Sequence, residues 1–336
     1  MNDEAFCRSI LPRVSRTFAL SIEALPEPLR STLRSAYLLC RVVDTIEDDA
    51  ELPRDLREWL FDEFSTIVAD DSTSTDRFEA AFADFEPNDD RELCRNLGAP
   101  IRVFRSVERP LAEAARPHIL EMAFGMASYA RRWRGPDDLT VLEDQADLEK
   151  YCYYVAGTVG NLLTEVFLTI HEELDGELGD GLRERAVSFG QGLQMTNIVK
   201  DVATDHLRGW CFLPASVCAR HGVAPTSFLD PEVRSQAMSV IGDVVALARG
   251  HLADALEYTL LLPHTAPEVR LFVLVPLALA LASLSLVETN PAVLVPGETV
   301  KVSRKFVADV LGEARAVVVD DEGLRSLCSR ASALKL

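Results

Sequence analysis

The sequence lacks the cysteine patterns that organise disulfide-rich domains and zinc sites. Its seven cysteines are scattered singly over 336 residues, and no two are spaced as Cys-x-x-Cys. A disulfide framework or a structural zinc site is therefore excluded as the organising element, because both need closely spaced or regularly paired ligands. We expect most of the cysteines to lie in the core as small apolar residues.

Positive charge is also scarce. Lys and Arg number 34 against 53 Asp and Glu, which gives a formal net charge of −19. Such a chain repels polyanions, so the composition argues against nucleic acid as a partner. The first residues, MNDEAF, have neither the basic nor the apolar region of a signal peptide, and we expect a cytoplasmic protein.

No uncharged run reaches the length of a membrane span. The most apolar stretch, residues 271–287, is shorter than the ~20 residues that a spanning helix needs, and it contains Pro276. We interpret this stretch as a core helix beside an apolar cavity.

Alternating patterns of useful length for strands are absent, and helical periodicity dominates. Helices are predicted at 27–49, 101–134, 145–172, 178–206, 231–262, 267–288 and 302–318. The polar stretch at 70–90 is expected to be a surface connection. No shift in composition marks a domain boundary, so the sequence predicts an all-α fold with one domain over 1–336 and a central cavity.

Two Asp-x-x-x-Asp pairs stand out on this helical background. Asp44 and Asp48 lie on one predicted helix, and Asp201 and Asp205 lie on another. Residues at this spacing project from the same helix face, so each pair costs stability unless a cation lies between its members. Each pair also continues an apolar stripe. A solvated acidic face is one interpretation. The repetition favours the other, in which two helices face each other across a cavity and hold Mg²⁺.

A third predicted helix carries glycines in its interior, at Gly157 and Gly160. Each costs about 1 kcal/mol relative to alanine, so a compensating role is expected. Close helix packing is one explanation. The other is room for a long apolar ligand, with Tyr151, Val155 and Val159 along one face of the helix.

Three segments resemble the signature regions of the squalene/phytoene synthases, the head-to-head trans-isoprenyl diphosphate synthases. They are SRTFALSIEALPEPLRSTLRSAYLLCRVVDTIEDD, YCYYVAGTVGNLLTEVF and FGQGLQMTNIVKDVATDHLRGWCFLP. The resemblance extends in order from about residue 7 to 310, and the squalene synthase branch is the better match. It implies the fold of a class I isoprenoid synthase, a terpene synthase-like helical bundle.

The resemblance also implies a reaction. A squalene synthase joins two farnesyl diphosphates to presqualene diphosphate with Mg²⁺ and then reduces that product to squalene with NADPH. The alternative within the family is a phytoene- or dehydrosqualene-type enzyme, or one that stops at presqualene diphosphate, without a reductant. A lipid-binding relative without activity is disfavoured, since the aspartate pairs and Tyr151 are intact. Transient membrane contact is expected on product release, because squalene is insoluble in water.

Carried over by position, the resemblance implies roles for individual residues. The four aspartates would bind Mg²⁺-diphosphate, and Tyr151 would lie near the reacting carbons. The other implied assignments are Ser15, Arg16, Phe18 and Arg41 for diphosphate or the shape of its site, Gln194 and Asn197 for support of the second metal site, Phe272 for facing the carbocation, and Lys301, Arg304 and Lys305 for the phosphates of NADPH.

Three positions depart from the family pattern. Thr204 stands where a Glu is usual, Lys200 where an Arg is usual, and Trp210 where a basic residue is usual. Lysine binds phosphate without the bidentate geometry of arginine, and Arg208 is available to bind diphosphate in place of a base at position 210. Two readings of the Trp210 ring stay open: it caps an apolar pocket or shields a cation, or it is a surface residue packed beside Phe212.

Overall fold

A computed structural model of the chain describes residues 2–15 and 18–334. Almost all of its regular structure is helical, which confirms the predicted all-α class. Contacts divide the chain into two compact units that alternate along the sequence: residues up to 131 with 158–179, and residues 132–157 with 180 onwards. The single-domain assignment and the central cavity stay predictions.

Long and short helices together form the first unit. They are α1 (Asp3–Val14), α2 (Phe18–Glu23), α3 (Leu29–Asp48), α4 (Arg54–Ala69), α5 (Asp76–Ala80), α6 (Asp89–Arg95), α7 (Gly98–Ser106), α8 (Arg109–Ala130) and α10 (Thr158–Ile170). Helix α8 packs against α3, α4 and α10. Ile119 and Met122 of α8 are buried in this core. Apolar residues recur along α8 at helical spacing and so form one buried face.

The second unit combines helices with one very short sheet. Its elements are β1 (Thr140–Val141), α9 (Gln145–Cys152), a π-helical turn (Tyr153–Gly157), α11 (Glu177–Leu207, from residue 180 onwards), β2 (Trp210–Cys211), α12 (Ala215–Arg220), α13 (Arg234–Leu261), α14 (Pro267–Val287), α15 (Arg304–Val317) and α16 (Asp321–Ser332). The two strands pair in parallel, with Thr140 opposite Trp210. Helix α14 packs against α13, α15 and α16.

Helix α14 is the apolar stretch that the sequence places in the core. It is long and apolar enough to cross a membrane, but 94% of its most apolar window is buried inside the structure. A helix that is apolar all round is either a membrane span or the centre of a protein core. The burial confirms the interpretation as a core helix, and all seven cysteines are likewise buried and free.

Three predicted segments differ from the structure. The predicted helix 145–172 contains the π-helical turn Tyr153–Gly157 between α9 and α10. The predicted helix 101–134 is two helices, α7 and α8, because the backbone is extended at Val107 and a new helix starts with Pro110 in its first turn. Proline is tolerated there since the first turn needs no N–H partner. The stretch at 70–90 is more than a surface connection. It contains α5 and buries Phe78 and Phe82 completely.

Candidate functional site

The first aspartate pair lies in the last turns of α3. The apolar stripe that leads to it is buried through Leu33, Ala36 and Cys40. The side chain of Asp44 is 28% exposed, and Asp48 is exposed. The pair therefore lies where the buried stripe reaches the surface.

The positively charged side chain of Arg41 lies beside Asp44, which partly offsets the repulsion within the aspartate pair. Nη1 of Arg41 is 3.7 Å from Oδ2 of Asp44, and Nε of Arg41 donates to Oδ1 of Asp90 at 3.0 Å. Arg41 thus bridges carboxylates from α3 and α6. Asp90 is missing from the sequence-based candidates because it lies 49 residues from Arg41 in the chain. Its only local signal is the acidic first turn of α6.

The surroundings of Asp44 make its carboxylate costly to charge. Burial raises the pKa of Asp44 to about 7; the Arg41 guanidinium opposes this rise, while the negative charges of Asp48 and Asp90 add to it. A carboxylate in this condition gains more from a bound cation than a solvated one does, because the cation restores the charged form.

The end of α3 is held by arginines from neighbouring elements. Arg91 donates from Nε and Nη2 to the two carboxylate oxygens of Asp49 at 2.6 and 2.7 Å. Arg57 donates to the main-chain carbonyls of Ile46 and Asp49. The last carbonyls of a helix otherwise lack partners, so these bonds fix the turn that carries Asp48.

Ser15 and Phe18 gather around Tyr37 of α3. The buried Ser15 hydroxyl accepts from the main-chain N–H of Phe18 at 3.2 Å, and it is hydrogen-bonded to Tyr37. The rings of Phe18 and Tyr37 lie 5.7 Å apart, and burial raises the pKa of Tyr37 to about 12. Arg16 lies outside the described residues, so its diphosphate contact stays a prediction.

The second aspartate pair lies near the end of α11. The side chains of Asp201 and Asp205 are 43% and 15% exposed. Nζ of Lys200 donates to Oδ2 of Asp201 at 2.5 Å, and Nη1 of Arg208 lies 3.6 Å from Oδ1 of Asp205. Both members of this pair therefore have an adjacent cation, as Asp44 has in Arg41.

Other polar residues of α11 are more accessible. Gln194 is half-buried, whereas Asn197 and Thr204 are exposed. Helical spacing places Gln194 and Asn197 two turns and one turn before Asp201, on the same side of α11. Their support of a metal site stays a prediction.

Tyr151 belongs to a stack of three buried rings. Its ring lies 4.5 Å from that of Phe212 with an interplanar angle of 20°, and Phe212 lies 5.0 Å from Trp210 at 8°. Tyr151, Phe212 and Trp210 are 4%, 8% and 5% exposed. Trp210 is therefore no surface residue, and that part of the packing interpretation is wrong, while its contact with Phe212 is confirmed.

An apolar pocket adjoins this stack. It is lined by Ile198 and Val202 of α11 together with Asp205, Trp210 and Phe212, and it has no room for a water molecule. Asp205 of the second aspartate pair and the ring stack thus line the same small, closely packed pocket.

Close backbone packing follows Tyr151 in the chain. Helix α9 passes into the π-helical turn Tyr153–Gly157. A Cβ at Gly190 of α11 would lie 2.0 Å from the main-chain oxygen of Ala156, and a Cβ at Gly157 would lie 3.2 Å from Cγ1 of Val187. The packing explanation for Gly157 is confirmed. Local π-helical turns are frequent at functional sites.

The remaining predicted ligand-facing residues lie in different parts of the fold. Val155 is half-buried in the π-helical turn of the second unit, and Val159 is half-buried in the first turn of α10 in the first unit. Phe272 is buried in α14. Their contacts with a prenyl chain stay predictions.

The basic residues Lys301, Arg304 and Lys305 are exposed at the start of α15. Ser303 caps this helix by accepting from the Phe306 N–H at 3.1 Å. Arg304 and Lys305 occupy the first turn, where the helix dipole disfavours cations. None of the three basic side chains forms an ion pair with a described residue, so an anion would relieve an unfavourable arrangement.

The donor set of each aspartate pair fits Mg²⁺. Within residues 2–15 and 18–334, no group of three or more His, Cys, Asp or Glu side chains is placed to hold a metal ion. Mg²⁺ is commonly bound by one or two protein carboxylates, with water and substrate phosphates completing its shell. Two carboxylates in each pair meet that requirement when a diphosphate is bound.

The comparison with protein families identifies the group to which this site belongs. The sequence model described as squalene/phytoene synthase matches residues 11–305. The chain belongs to the squalene/phytoene synthase family. The family resemblance of the three motifs is confirmed, and every candidate site residue lies inside the matched range.

Individual members of the family are similar over most of this chain. The probable squalene synthase of Neurospora crassa is 31% identical over 292 residues, which cover 86% of this chain and 58% of that protein. Squalene synthase of Schizosaccharomyces pombe is 29% identical over 324 residues, 96% of this chain and 66% of that protein. The chain thus spans about three fifths to two thirds of the length of these relatives.

Solved structures support the same family fold. TcSQS in complex with the ligand BPH1237 has a TM-score of 0.83 at 27% identity, covering 99% of this chain and 92% of that chain. A dehydrosqualene synthase in complex with a ligand has a TM-score of 0.66 at 22% identity, covering 94% and 96%. The predicted class I isoprenoid synthase fold is confirmed.

Proposed function

We propose that the chain is a squalene synthase, a prenyltransferase that joins two farnesyl diphosphates into presqualene diphosphate and reduces that product to squalene with NADPH. The observation that carries this proposal is the basic side chain beside each aspartate motif. Arg41 lies 3.7 Å from Asp44, and Lys200 lies 2.5 Å from Asp201. Diphosphate binding uses both kinds of group, because carboxylates hold the metal and bases bind phosphate oxygens.

The four aspartates would hold Mg²⁺, which when bound neutralises the departing diphosphate. Arg41, Lys200 and Arg208 would donate hydrogen bonds to diphosphate oxygens. In the structure these bases are engaged with the aspartates. Binding of a metal-diphosphate would therefore exchange one set of ion pairs for another, and it would leave no like-charged pair uncompensated.

Loss of diphosphate from an allylic carbon leaves a carbocation that water would quench. Tyr151 presents a buried aromatic ring, which Phe212 and Trp210 support from behind in a stack. Aromatic faces stabilise cations, and buried rings exclude water. The proton lost when the cyclopropane of presqualene diphosphate closes would pass to the Tyr151 oxygen or to the released diphosphate.

The second half-reaction needs a hydride, which NADPH supplies when bound. Lys301, Arg304 and Lys305 would bind its phosphates, since they are exposed cations without carboxylate partners among the described residues. Arginine and lysine are the usual ligands of phosphate in proteins.

A product assay tests the proposal. The purified chain is incubated with farnesyl diphosphate and Mg²⁺, with and without NADPH, and the extracted products are identified by mass spectrometry. We expect squalene only when NADPH is present, and presqualene diphosphate in its absence. Dehydrosqualene, or presqualene diphosphate unaffected by NADPH, would instead identify the alternative activity without a reductant. Turnover of geranylgeranyl diphosphate in preference to farnesyl diphosphate would indicate a phytoene-type enzyme.

The proposal includes a location. We place the reaction in the cytoplasm, with membrane contact limited to release of an insoluble product. Sedimentation of the chain with liposomes, before and after turnover, tests this placement. Stable binding in the absence of substrate would contradict it.

A further inference from the structure

The backbone beside Trp210 is held on both sides. The N–H of Thr140 donates to the carbonyl of Gly209 at 2.9 Å, and Thr140 stands opposite Trp210 in the parallel strand pair. Gly209 has φ of 82°, a region that other residues rarely adopt. A Cβ there would lie 2.3 Å from the carbonyl oxygen of Gly135. The segment that starts at Trp210 therefore has little freedom to move.

The extended backbone sends alternate side chains to opposite sides. Residues two apart in a strand project from the same side, so the rings of Trp210 and Phe212 lie together. The intervening Cys211 thiol donates to the carbonyl of Leu213 at 3.4 Å. One face of the Tyr151 ring is covered by Phe212 at 4.5 Å, and the far face of Phe212 is available to Trp210.

We infer that Trp210 is a positioning residue for Tyr151 and that it acts through the ring of Phe212. The inference rests on the proposed function, in which Tyr151 lies at the reacting carbons. Tyr151 is in the last regular turn of α9, directly before the π-helical turn. The stacked ring of Phe212 restricts the positions that the Tyr151 ring can adopt. Phe212 is fixed in turn, because Trp210 covers it in nearly parallel orientation, at 8°.

This role is particular to the residue at position 210. Trp210 and Asp205 line the same small pocket, so the end of the ring stack lies beside a metal-binding candidate. A lysine in its place would offer charge to a diphosphate but no ring to Phe212, and the smaller guanidinium of an arginine would cover less of the Phe212 face than the indole of Trp210 does. The chain has thus exchanged a phosphate-binding group for a longer aromatic stack.

A double-mutant cycle tests the inference. It compares the wild type, Trp210→Leu, Tyr151→Phe and the double variant in the release of diphosphate from farnesyl diphosphate without NADPH. We expect Trp210→Leu to lower kcat about tenfold with KM changed less than about twofold, because misplacement of a reacting group acts on the chemical step. In the Tyr151→Phe background the same change should lower kcat by less than about twofold, since the hydroxyl that Trp210 keeps in place through the ring is already absent.

Conservative variants separate positioning from packing. Trp210→Phe keeps a ring against Phe212 and should recover kcat to within about threefold of the wild type. Phe78→Leu is the matched control, because it removes a ring from another buried series, Phe64, Phe78 and Phe82, that contains no site residue. It should lower the melting temperature without changing kcat. If Trp210→Leu does not fold, Trp210→Met fills the volume without a ring and replaces it in the cycle.

The outcomes distinguish two kinds of failure. A wild type that releases no diphosphate rejects the proposed function and the positioning role with it. An active wild type with independent, multiplicative losses in the cycle rejects the positioning role alone. The same conclusion follows if Trp210→Phe is as impaired as Trp210→Leu.

Discussion

Asp44 combines partial exposure with a strongly perturbed ionisation. Its side chain is 28% exposed, yet its pKa is raised to about 7 by burial, with Asp48 and Asp90 adding to the rise. Without a metal, folding therefore places a carboxylate where its charge is poorly compensated by Arg41 alone. The free energy of this arrangement depends on pH, and it can be measured without any substrate.

The stability of the Mg²⁺-free protein should decline with pH relative to Asp44→Asn. Because the folded pKa lies above the ordinary value of 3.8, the contribution of Asp44 is fully present below 3.8 and is lost as pH rises through about 7. Asparagine stays uncharged. The free energy of unfolding of the variant, relative to that of the wild type, should therefore increase by about 2 kcal/mol between about pH 5 and pH 8. Urea titrations in EDTA measure the difference.

Asp62→Asn is the control for this pH series, because Asp62 is an exposed carboxylate on α4. Its stability curve should stay parallel to that of the wild type. Parallel curves for Asp44→Asn as well would mean that Asp44 ionises freely in the folded protein.

Removal of either aspartate motif should abolish metal-dependent ligand binding. Asp44→Ala and Asp201→Ala should each stop turnover of farnesyl diphosphate, and each should lose the rise in melting temperature that Mg²⁺ with inorganic diphosphate produces in the wild type. The fold should persist, since loss of one member of a like-charged pair relieves repulsion. Asp62→Ala should keep both properties. Turnover at saturating Mg²⁺ in both motif variants would rule out the metal assignment.

The residues that sequence reasoning identified are those whose partners are local. Asp201 and Lys200 are neighbours, and Arg41 lies one turn before Asp44, so their proximity follows from helix geometry. Asp90 and Phe212 were not identified as site residues, because their partners are distant in the chain. Asp90 reaches Arg41 from another helix, and Phe212, directly after β2, reaches Tyr151 from 61 residues later in the chain. Only the tertiary fold brings these side chains together.

The contact between α11 and the π-helical turn depends on the absence of a side chain at Gly190. A Cβ there would lie 2.0 Å from the main-chain oxygen of Ala156, and neither backbone can move without breaking helical hydrogen bonds. Gly190→Ala should therefore lower the free energy of unfolding by about 3 kcal/mol. It should also reduce kcat, because the π-helical turn directly follows the helix that carries Tyr151. Urea denaturation and diphosphate release measure the two effects.

Gly250→Ala, in the same unit, should change stability in the opposite direction. Gly250 lies inside α13 with no atom within 4 Å of a built Cβ, so alanine should raise stability by about 1 kcal/mol through its higher helix propensity. Equal effects of the two substitutions would show that the approach at Gly190 is looser than the contact distance indicates.

Elements set by a local apolar period are predictable from the sequence, and elements set by tertiary contacts are not. Helix α11 was predicted at 178–206 and spans Glu177–Leu207, because its apolar period runs without interruption. The break between α7 and α8 was missed, since the periodic pattern continues across Val107 while the backbone does not. The π-helical turn was also missed. Gly190 of α11 approaches it closely, and no local pattern encodes that approach.

At the scale of the whole molecule, the uneven distribution of charge stands out. The chain has a net charge of −19, so the proposed binding of diphosphates would depend on a few local bases such as Arg41 and Lys200. The start of α15 is a second such place, where Lys301, Arg304 and Lys305 lack acidic partners among the described residues. If the molecule performs two half-reactions, substitution of the bases beside the aspartates and substitution of the bases at the start of α15 should affect different half-reactions.

Charge reversal at the start of α15 should therefore separate the half-reactions. Arg304→Glu and Lys305→Glu should each lower squalene formation about tenfold while presqualene diphosphate accumulates at the wild-type rate, because a carboxylate repels the phosphates of NADPH. Each variant should also be more stable by about 0.5 kcal/mol, since an acid in the first turn of a helix interacts favourably with the helix dipole. Product analysis with and without NADPH, together with thermal melts, measures both effects.

The stability change excludes damage to the fold as the reason for impaired reduction, because the same substitution would strengthen α15 while weakening one reaction. Arg315→Glu is the matched control at the other end of this helix. It changes the net charge equally, but a negative charge in the last turn should lower stability by about 0.5 kcal/mol and leave the ratio of the two products unchanged. An equal loss of both half-reactions in Arg304→Glu would contradict a role in binding the reductant and would assign the basic residues to the structure of α15.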